Sequence, residues 1–166
     1  MTIKFDTVKN VDLKTFKKDM QEAFQKSFEE VYGKTNGIIL PEEDIDHSLN
    51  TKGAIAYKAV IDNTIVGGAI VVINKETNYN ELHFLYVKNG VQSKGIGKQL
   101  WDSIEKSHPD TIIWETCTPY FEKRNVYFYL NKLNFYIVHY DRELNEEGFI
   151  GDNGEGMFIF KKFMKK

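Results

Sequence analysis

Several things are scarce in this sequence of 166 residues, and each scarcity narrows what the chain can do. A single cysteine, Cys117, excludes an internal disulfide and fits a reducing compartment. Charge of one sign is lacking too. Lys and Arg number 22 against 24 Asp and Glu, a formal net charge of -2, so no strong field draws the chain to nucleic acid. No segment approaches the ~20 consecutive apolar residues of a membrane helix. The first residues, Met1 to Asp6, carry no apolar run of signal-peptide length, and the cytoplasm is the expected compartment. The histidines are scattered and no Cys-x-x-Cys or His-x-x-x-His pair occurs, so no metal site is expected. A Gly-x-Ser-x-Gly elbow is absent. So are repeats, linkers and low-complexity tracts, and residues 1–166 read as one domain.

Hydrophobic residues make up 42% and aromatics 14%, enough for a core and a cleft rich in Phe and Tyr. Ile3, Phe5 and Val8 suggest a first strand at residues 2–8. Leu13, Phe16, Met20, Phe24, Phe28 and Val31 form one helical stripe over residues 12–32, with Asp12 as its expected cap. Pro41-Glu42-Glu43-Asp44 opens a second, short helix, its acids beside the positive end of the dipole. Apolar runs at 53–61 and 64–73, joined at Asp62-Asn63, predict a hairpin. Gly67-Gly68 inside the second run predicts a bulge or a close backbone approach. A polar turn at 74–80 leads to a strand at 81–87. Ile96, Leu100 and Ile104 are the inward stripe of the next helix, and a strand at 111–116 follows Pro109. That strand–helix–strand order implies a parallel pair with a right-handed crossover. Residues 120–133, aromatic on almost every side, predict a buried helix. Two last strands, 135–140 and 157–164, enclose a glycine-rich, mostly acidic loop. The sum is an α/β fold of the α+β kind, a central mixed β-sheet flanked by helices.

The most informative stretch runs from Leu82 to Leu100: a buried strand, a turn holding Gly95-Ile96-Gly97, then an amphipathic helix. The first N–H groups of a helix have no internal partner, and the dipole adds positive charge there. A phosphate or pyrophosphate suits that spot, and glycine lets the backbone approach it. Two familiar phosphate motifs fail. The dinucleotide fingerprint wants a third glycine where Leu100 stands. The P-loop wants glycine in place of Gln92, and Ser or Thr in place of Gln99.

What remains, a strand ending Leu85-Tyr86-Val87 and then Gln-x-x-Gly-x-Gly, resembles the GNAT superfamily of N-acetyltransferases. The motif is filled by Gln92, Gly95 and Gly97, and the order of elements on both sides also fits. The resemblance implies the acyl-CoA N-acyltransferase (GNAT) fold, acetyl-CoA (coenzyme A) as cofactor, and acetyl transfer to a primary amine of a small molecule or peptide. It implies backbone contacts to the cofactor from Leu85, Tyr86 and Val87. It also implies a pyrophosphate cradle from Gln92, Ser93, Lys94, Gly95, Ile96 and Gly97, with Lys98 beside it. A family tyrosine that protonates the departing sulfur falls on Tyr129, with Tyr127 as competitor. Tyr129 stands one residue further from Phe135 than is common, and Asn134 replaces a usual Gly. Asn125 is a candidate for the family's coenzyme-side Asn.

Amide formation from a thioester needs a neutral amine, so a base must take its proton. The family's strand carboxylate falls on His83, whose ordinary pKa of ~6.5 suits the task. Glu81, on the same face by alternation, and Glu115, on the parallel strand, stay open as alternatives. Cys117 as an acyl-carrying nucleophile would need a nearby base or a lowered pKa. Acids cluster at Glu42, Glu43, Asp44 and Asp46, and again in the late loop at Asp141, Glu143, Glu146, Glu147, Asp152 and Glu155. They suggest a cationic acceptor. A non-catalytic acyl-CoA-binding sensor would keep the glycine turn without needing Tyr129. The sequence leaves monomer and homodimer open.

Overall fold

The computed structural model describes residues 2–91, 95–142 and 156–164. Strands β1 (Lys4–Thr7), β2 (Ala54–Ile61), β3 (Thr64–Val72), β4 (Tyr79–Val87), β5 (Ile113–Pro119), β6 (Tyr136–Asp141) and β7 (Met157–Phe163) form one mixed sheet. Its order is β1-β2-β3-β4-β5-β7-β6. Only β4 and β5 run parallel, and helix α3 (Ile96–Ser107) makes the crossover between them. Helices α1 (Leu13–Tyr32) and α2 (Glu42–Leu49) complete one face through Phe16, Met20 and Ile45, which pack with Leu40 of their connection on Ile70 and Tyr86. On the other face Leu100, Trp101 and Ile104 of α3 meet Trp114, Tyr129, Phe135 and Phe160.

Local chemistry explains most boundaries. Asp62 and Asn63 both take positive φ, which a two-residue hairpin with the right twist requires. Asn134 at φ +64° ends the last helical segment in the left-handed conformation, as the Asn-for-Gly exchange predicts. The Gly67-Gly68 pair serves a close approach. A Cβ on Gly68 would lie 2.5 Å from Phe16 Cε1 and 2.8 Å from Tyr86 Cε1. A bulge stands beside the pair, where Gly67 faces Ala59 and Ile65 faces Val60.

Several expectations are corrected. Asp12 does not cap α1: a 3-10 turn, Asn10–Asp12, precedes the helix. The Asp12 carboxylate accepts the Lys9 backbone N–H at 2.9 Å and the Lys58 ammonium at 2.6 Å instead. Strand β5 runs to Pro119, three residues past its predicted end, because β7 pairs with it to Met157. The helix predicted as buried at 120–133 is shorter, in two parts, and buried within them only at Tyr129. Helix α4 covers Lys123–Tyr127, and a π-helical turn covers Phe128–Lys132. The N–H of Leu133 bonds the Phe128 carbonyl at 3.1 Å, five residues back.

Strand β4 carries a bulge that its regular alternation hides. Phe84 pairs with Ile70 and Leu82 with Val71, so His83 is the extra residue. The bulge exchanges faces. Leu82 packs on the α3 side, whereas Phe84 and Tyr86 pack on the α1 side and Leu85 and Val87 return to α3.

The contact at Gly68 sets how closely α1 sits on the sheet. Gly68→Ala is expected to destabilise the protein by about 1–3 kcal/mol through overpacking. Denaturant unfolding checks this, and an unchanged midpoint would show that Phe16 can move aside at no cost.

Candidate functional site

The parallel pair β4–β5 is short. Ladder partners are Tyr79–Ile113, Asn80–Trp114 and Glu81–Glu115, and no further pairs follow. The Thr116 hydroxyl then donates to the Leu82 carbonyl at 2.9 Å, and beyond that point the strands part. The gap opens through the sheet. A cavity of about 500 Å³ fills it, lined from one face by Ala23, Phe24 and Ser27 of α1 and from the other by α3, α4 and the π turn.

This cavity collects most of the predicted residues. Leu85, Tyr86 and Val87 line it from β4. Gly95, Ile96, Gly97 and Lys98 line it from the start of α3, and Asn125 and Tyr129 from the late helical segment. Gln92, Ser93 and Lys94 lie outside the described residues, as do Glu143, Glu146, Glu147, Asp152 and Glu155. The two glycines have different reasons. Gly95 sits at φ +73°, where an L side chain is strained, and precedes the first α3 bond, from the Gln99 N–H to the Gly95 carbonyl. Gly97 is required by packing: a Cβ there would stand 3.1 Å from Phe128 Cζ and 3.5 Å from Val87 Cγ2. The N–H groups of Ile96, Gly97 and Lys98 belong to the first turn of α3 and find no acceptor within it. Such a donor set, at the end of a dipole and beside an apolar slot, fits the phosphates and amide arm of coenzyme A. Lys98 directs its ammonium along the helix to Asp102 at 2.9 Å.

Tyr129 is 6% exposed, whereas Tyr127 is 58% exposed and faces away. Phe128, Phe135 and Phe160 hold the Tyr129 ring, with centroids 5.3 to 5.9 Å away. The Tyr129 hydroxyl hydrogen-bonds Thr116, whose own proton goes to Leu82. Burial pushes the Tyr129 phenol well above its ordinary range, so it keeps its proton. The π turn supplies the one residue by which Tyr129 departs from the usual spacing to Phe135. Asn125 reaches towards Thr118 Oγ1 at 3.5 Å.

His83 and Glu115 do not line the cavity. His83 Nδ1 meets Ser48 Oγ of α2 at 2.7 Å, and its Nε2 lies 3.4 Å from Glu81 Oε1. The His83 hydrogen bond holds the Glu81 carboxyl below its usual range. Glu115 stands opposite Glu81 and lies 3.7 Å from Lys161. Cys117 is exposed beside these acids. Desolvation, then the carboxylates of Glu115 and Glu81, push its thiol up to about 11. That is the wrong direction for a nucleophile.

Several cavity residues escaped the sequence reading, Glu122 and Ser27 with Arg124, Phe128 and Lys132 among them. Glu122 and Ser27 face one another across the gap, joined by a side-chain hydrogen bond. Their pairing depends on α1 crossing over the start of α4, where Phe121 packs against Phe28 and Tyr32. No local pattern signals that contact.

This architecture is the acyl-CoA N-acyltransferase fold. A model of the acetyltransferase (GNAT) family matches residues 17–135. An uncharacterised protein of Bacillus subtilis (strain 168), YrkN, is 41% identical, over 97% of this chain and 93% of that one. PaiA N-acetyltransferase of Thermoplasma acidophilum, solved with coenzyme A, superposes with a TM-score of 0.75 at 20% identity, covering 99% and 100% of the two chains. A putative streptothricin acetyltransferase of Bacillus anthracis, solved with acetyl coenzyme A, gives 0.69 at 17% identity, covering 99% and 100%. The chain belongs to the GNAT family of acetyltransferases, enzymes that use acetyl-CoA. Among the described residues, no helix is long and apolar enough to cross a membrane.

The environment of Cys117 gives a direct test. With its thiol pushed up to about 11, alkylation by iodoacetamide at pH 8 is expected to run about 10²-fold slower than for free cysteine. A rate matching free cysteine would show that neither desolvation nor the flanking acids exerts such a hold.

Proposed function

We propose that the protein is an acetyl-CoA-dependent N-acetyltransferase that acetylates a primary amine by direct attack within a ternary complex. One observation carries this reading. The gap between β4 and β5 brings the glycine turn, the end of β4 and Tyr129 to one cavity lined by helices from both faces of the sheet. Coenzyme and acceptor approach from opposite sides and meet where the strands part.

Each residue has a role that its surroundings suit. The α3 N–H groups and the turn hold the pyrophosphate, and the open edge of β4 holds the amide arm. The coenzyme supplies an activated acetyl thioester. The amine nitrogen bonds to its carbonyl carbon as the carbon–sulfur bond breaks. Tyr129 gives its proton to the departing thiolate and regains one from the new amide nitrogen. His83, fixed by Ser48 and Glu81, takes the proton that the ammonium must lose before attack. Glu81 and Glu115 are the last ladder partners before the strands part, and a cationic acceptor is the chemistry that two carboxylates there favour. A small-molecule amine or a peptide amino end would each fit this description. Cys117 has no covalent role in this scheme.

Calorimetric titration with acetyl-CoA, against NAD and ATP as controls, tests the cofactor. Selective saturable binding is expected. Tyr129→Phe is expected to lower kcat about 10²-fold while the acetyl-CoA Kd changes less than twofold. Full turnover by this variant would remove Tyr129 from the reaction, acetyl-CoA binding with no turnover of any amine by the wild type would leave the non-catalytic sensor as the better reading, and no acetyl-CoA binding would remove both.

A further inference from the structure

Glu122 is the one carboxylate among the described residues that line the cavity, and the other charged groups there are Lys98, Arg124 and Lys132. A cavity for a polyphosphate ligand gains from those cations and loses from an anion. Glu122 is also unusual in position. It is the residue before the first turn of α4, where a carboxylate ordinarily caps the helix, yet it makes no capping bond. Its side chain turns into the cavity and meets Ser27 of α1 instead.

We propose that Glu122 is a coenzyme-contacting residue that acts as its neutral acid, donating a hydrogen bond to an amide carbonyl of the coenzyme's arm. This rests on reading the cavity as the coenzyme site. A carboxylate in this place would repel the ligand's phosphates and could only accept hydrogen bonds. A carboxylic acid removes the repulsion and supplies a donor. The groups facing Glu122 are consistent with this state. Burial pushes its carboxyl up to about 7, Glu30 of α1 adds to the rise, and Arg124 and the Ser27 hydroxyl oppose it. Arg124 is itself engaged by Glu30 at 3.3 Å. Burial holds the Tyr129 phenol above its ordinary range, so it stays neutral, and Lys98 and Lys132 are the other titratable groups lining the cavity. The polyanion therefore raises the Glu122 pKa further, and binding draws in a proton. The sign follows: affinity is greatest below pH 7, where the acid is already formed, and falls as pH rises through it.

The test is calorimetric titration of the whole chain with dephospho-coenzyme A. That ligand lacks the 3′-phosphate, whose second ionisation near pH ~6 would otherwise contribute. Buffers of differing ionisation enthalpy count the protons taken up. The wild-type Kd is expected to rise about tenfold between pH 5.5 and 8.5, with proton uptake near neutrality. Glu122→Gln, a permanently neutral donor, is expected to bind equally at both pH values, without uptake, and about tenfold tighter than wild type at pH 8.5. A merely structural role would weaken the variant at both pH values, and that result would overturn the proposal. So would a wild-type affinity that ignores pH, a result that needs no variant. In either case measurable binding would leave the coenzyme reading standing, whereas no binding at any pH would remove both.

Discussion

Three residue pairs join β4 to β5, and the arrangement of the molecule follows from the pairing stopping there. A parallel ladder that ran on would close the sheet and separate its two helical layers. Because it ends at Glu81–Glu115, side chains of α1 and of α4 reach the same space. The gap leaves backbone without a strand neighbour inside the protein, a cost that a ligand with amide groups offsets. Thr116 sits at the point of divergence. It ties off the Leu82 carbonyl, one residue past the last ladder pair, and takes up the Tyr129 hydroxyl, so one side chain links the end of the ladder to the proposed acid.

Packing keeps the gap in shape. Trp101 and Trp114 meet edge to face at 4.9 Å beneath it, and Phe135 and Phe160 carry the Tyr129 ring. Each such aromatic contact adds about 0.5–1.5 kcal/mol beyond the area it buries. The absence of a side chain at Gly97 allows the Phe128 ring to lie against α3. The walls are therefore rigid before any ligand arrives, and less ordering is left for binding to impose. The polar groups divide by face. Lys98 and the helix N–H groups stand on the α3 side, Arg124 reaches Glu30 of α1, and His83 meets Ser48 of α2 beside Glu81.

Much of this was legible in the sequence. The change from strand to helix across Gly95 and Gly97 announces itself, because a period of two gives way to one of 3.6 within a few residues. Tyr129 is legible through its place before Asn134-Phe135. The bulge at His83 is not, since Glu81 to Val87 reads as regular alternation and the extra residue exists only relative to β3. The extension of β5 to Pro119 depends on its partner β7, which arrives some forty residues later. Glu122 falls inside the helix expected at 120–133, where nothing in the sequence marks it out. Its meaning comes from α1 lying across it, a contact between residues 27 and 122 that no window along the chain contains. The expected cap at Asp12 failed for a related reason: Lys58, on a distant strand, competes for the carboxylate.

The π turn at Phe128–Lys132 has a consequence for how this protein can be altered. In an α-helix each residue advances the chain by about 100° around the axis. Deleting one residue after Tyr129 would let the turn relax to an α-helix and would swing the tyrosine by that angle relative to Phe135. An exchange of side chains in the same segment would leave the swing at zero. The length of this stretch is thus a stricter inheritance than its composition. A sequence comparison that slides a gap across it, or a graft that borrows a relative's segment, would misplace the hydroxyl even with every aromatic residue kept.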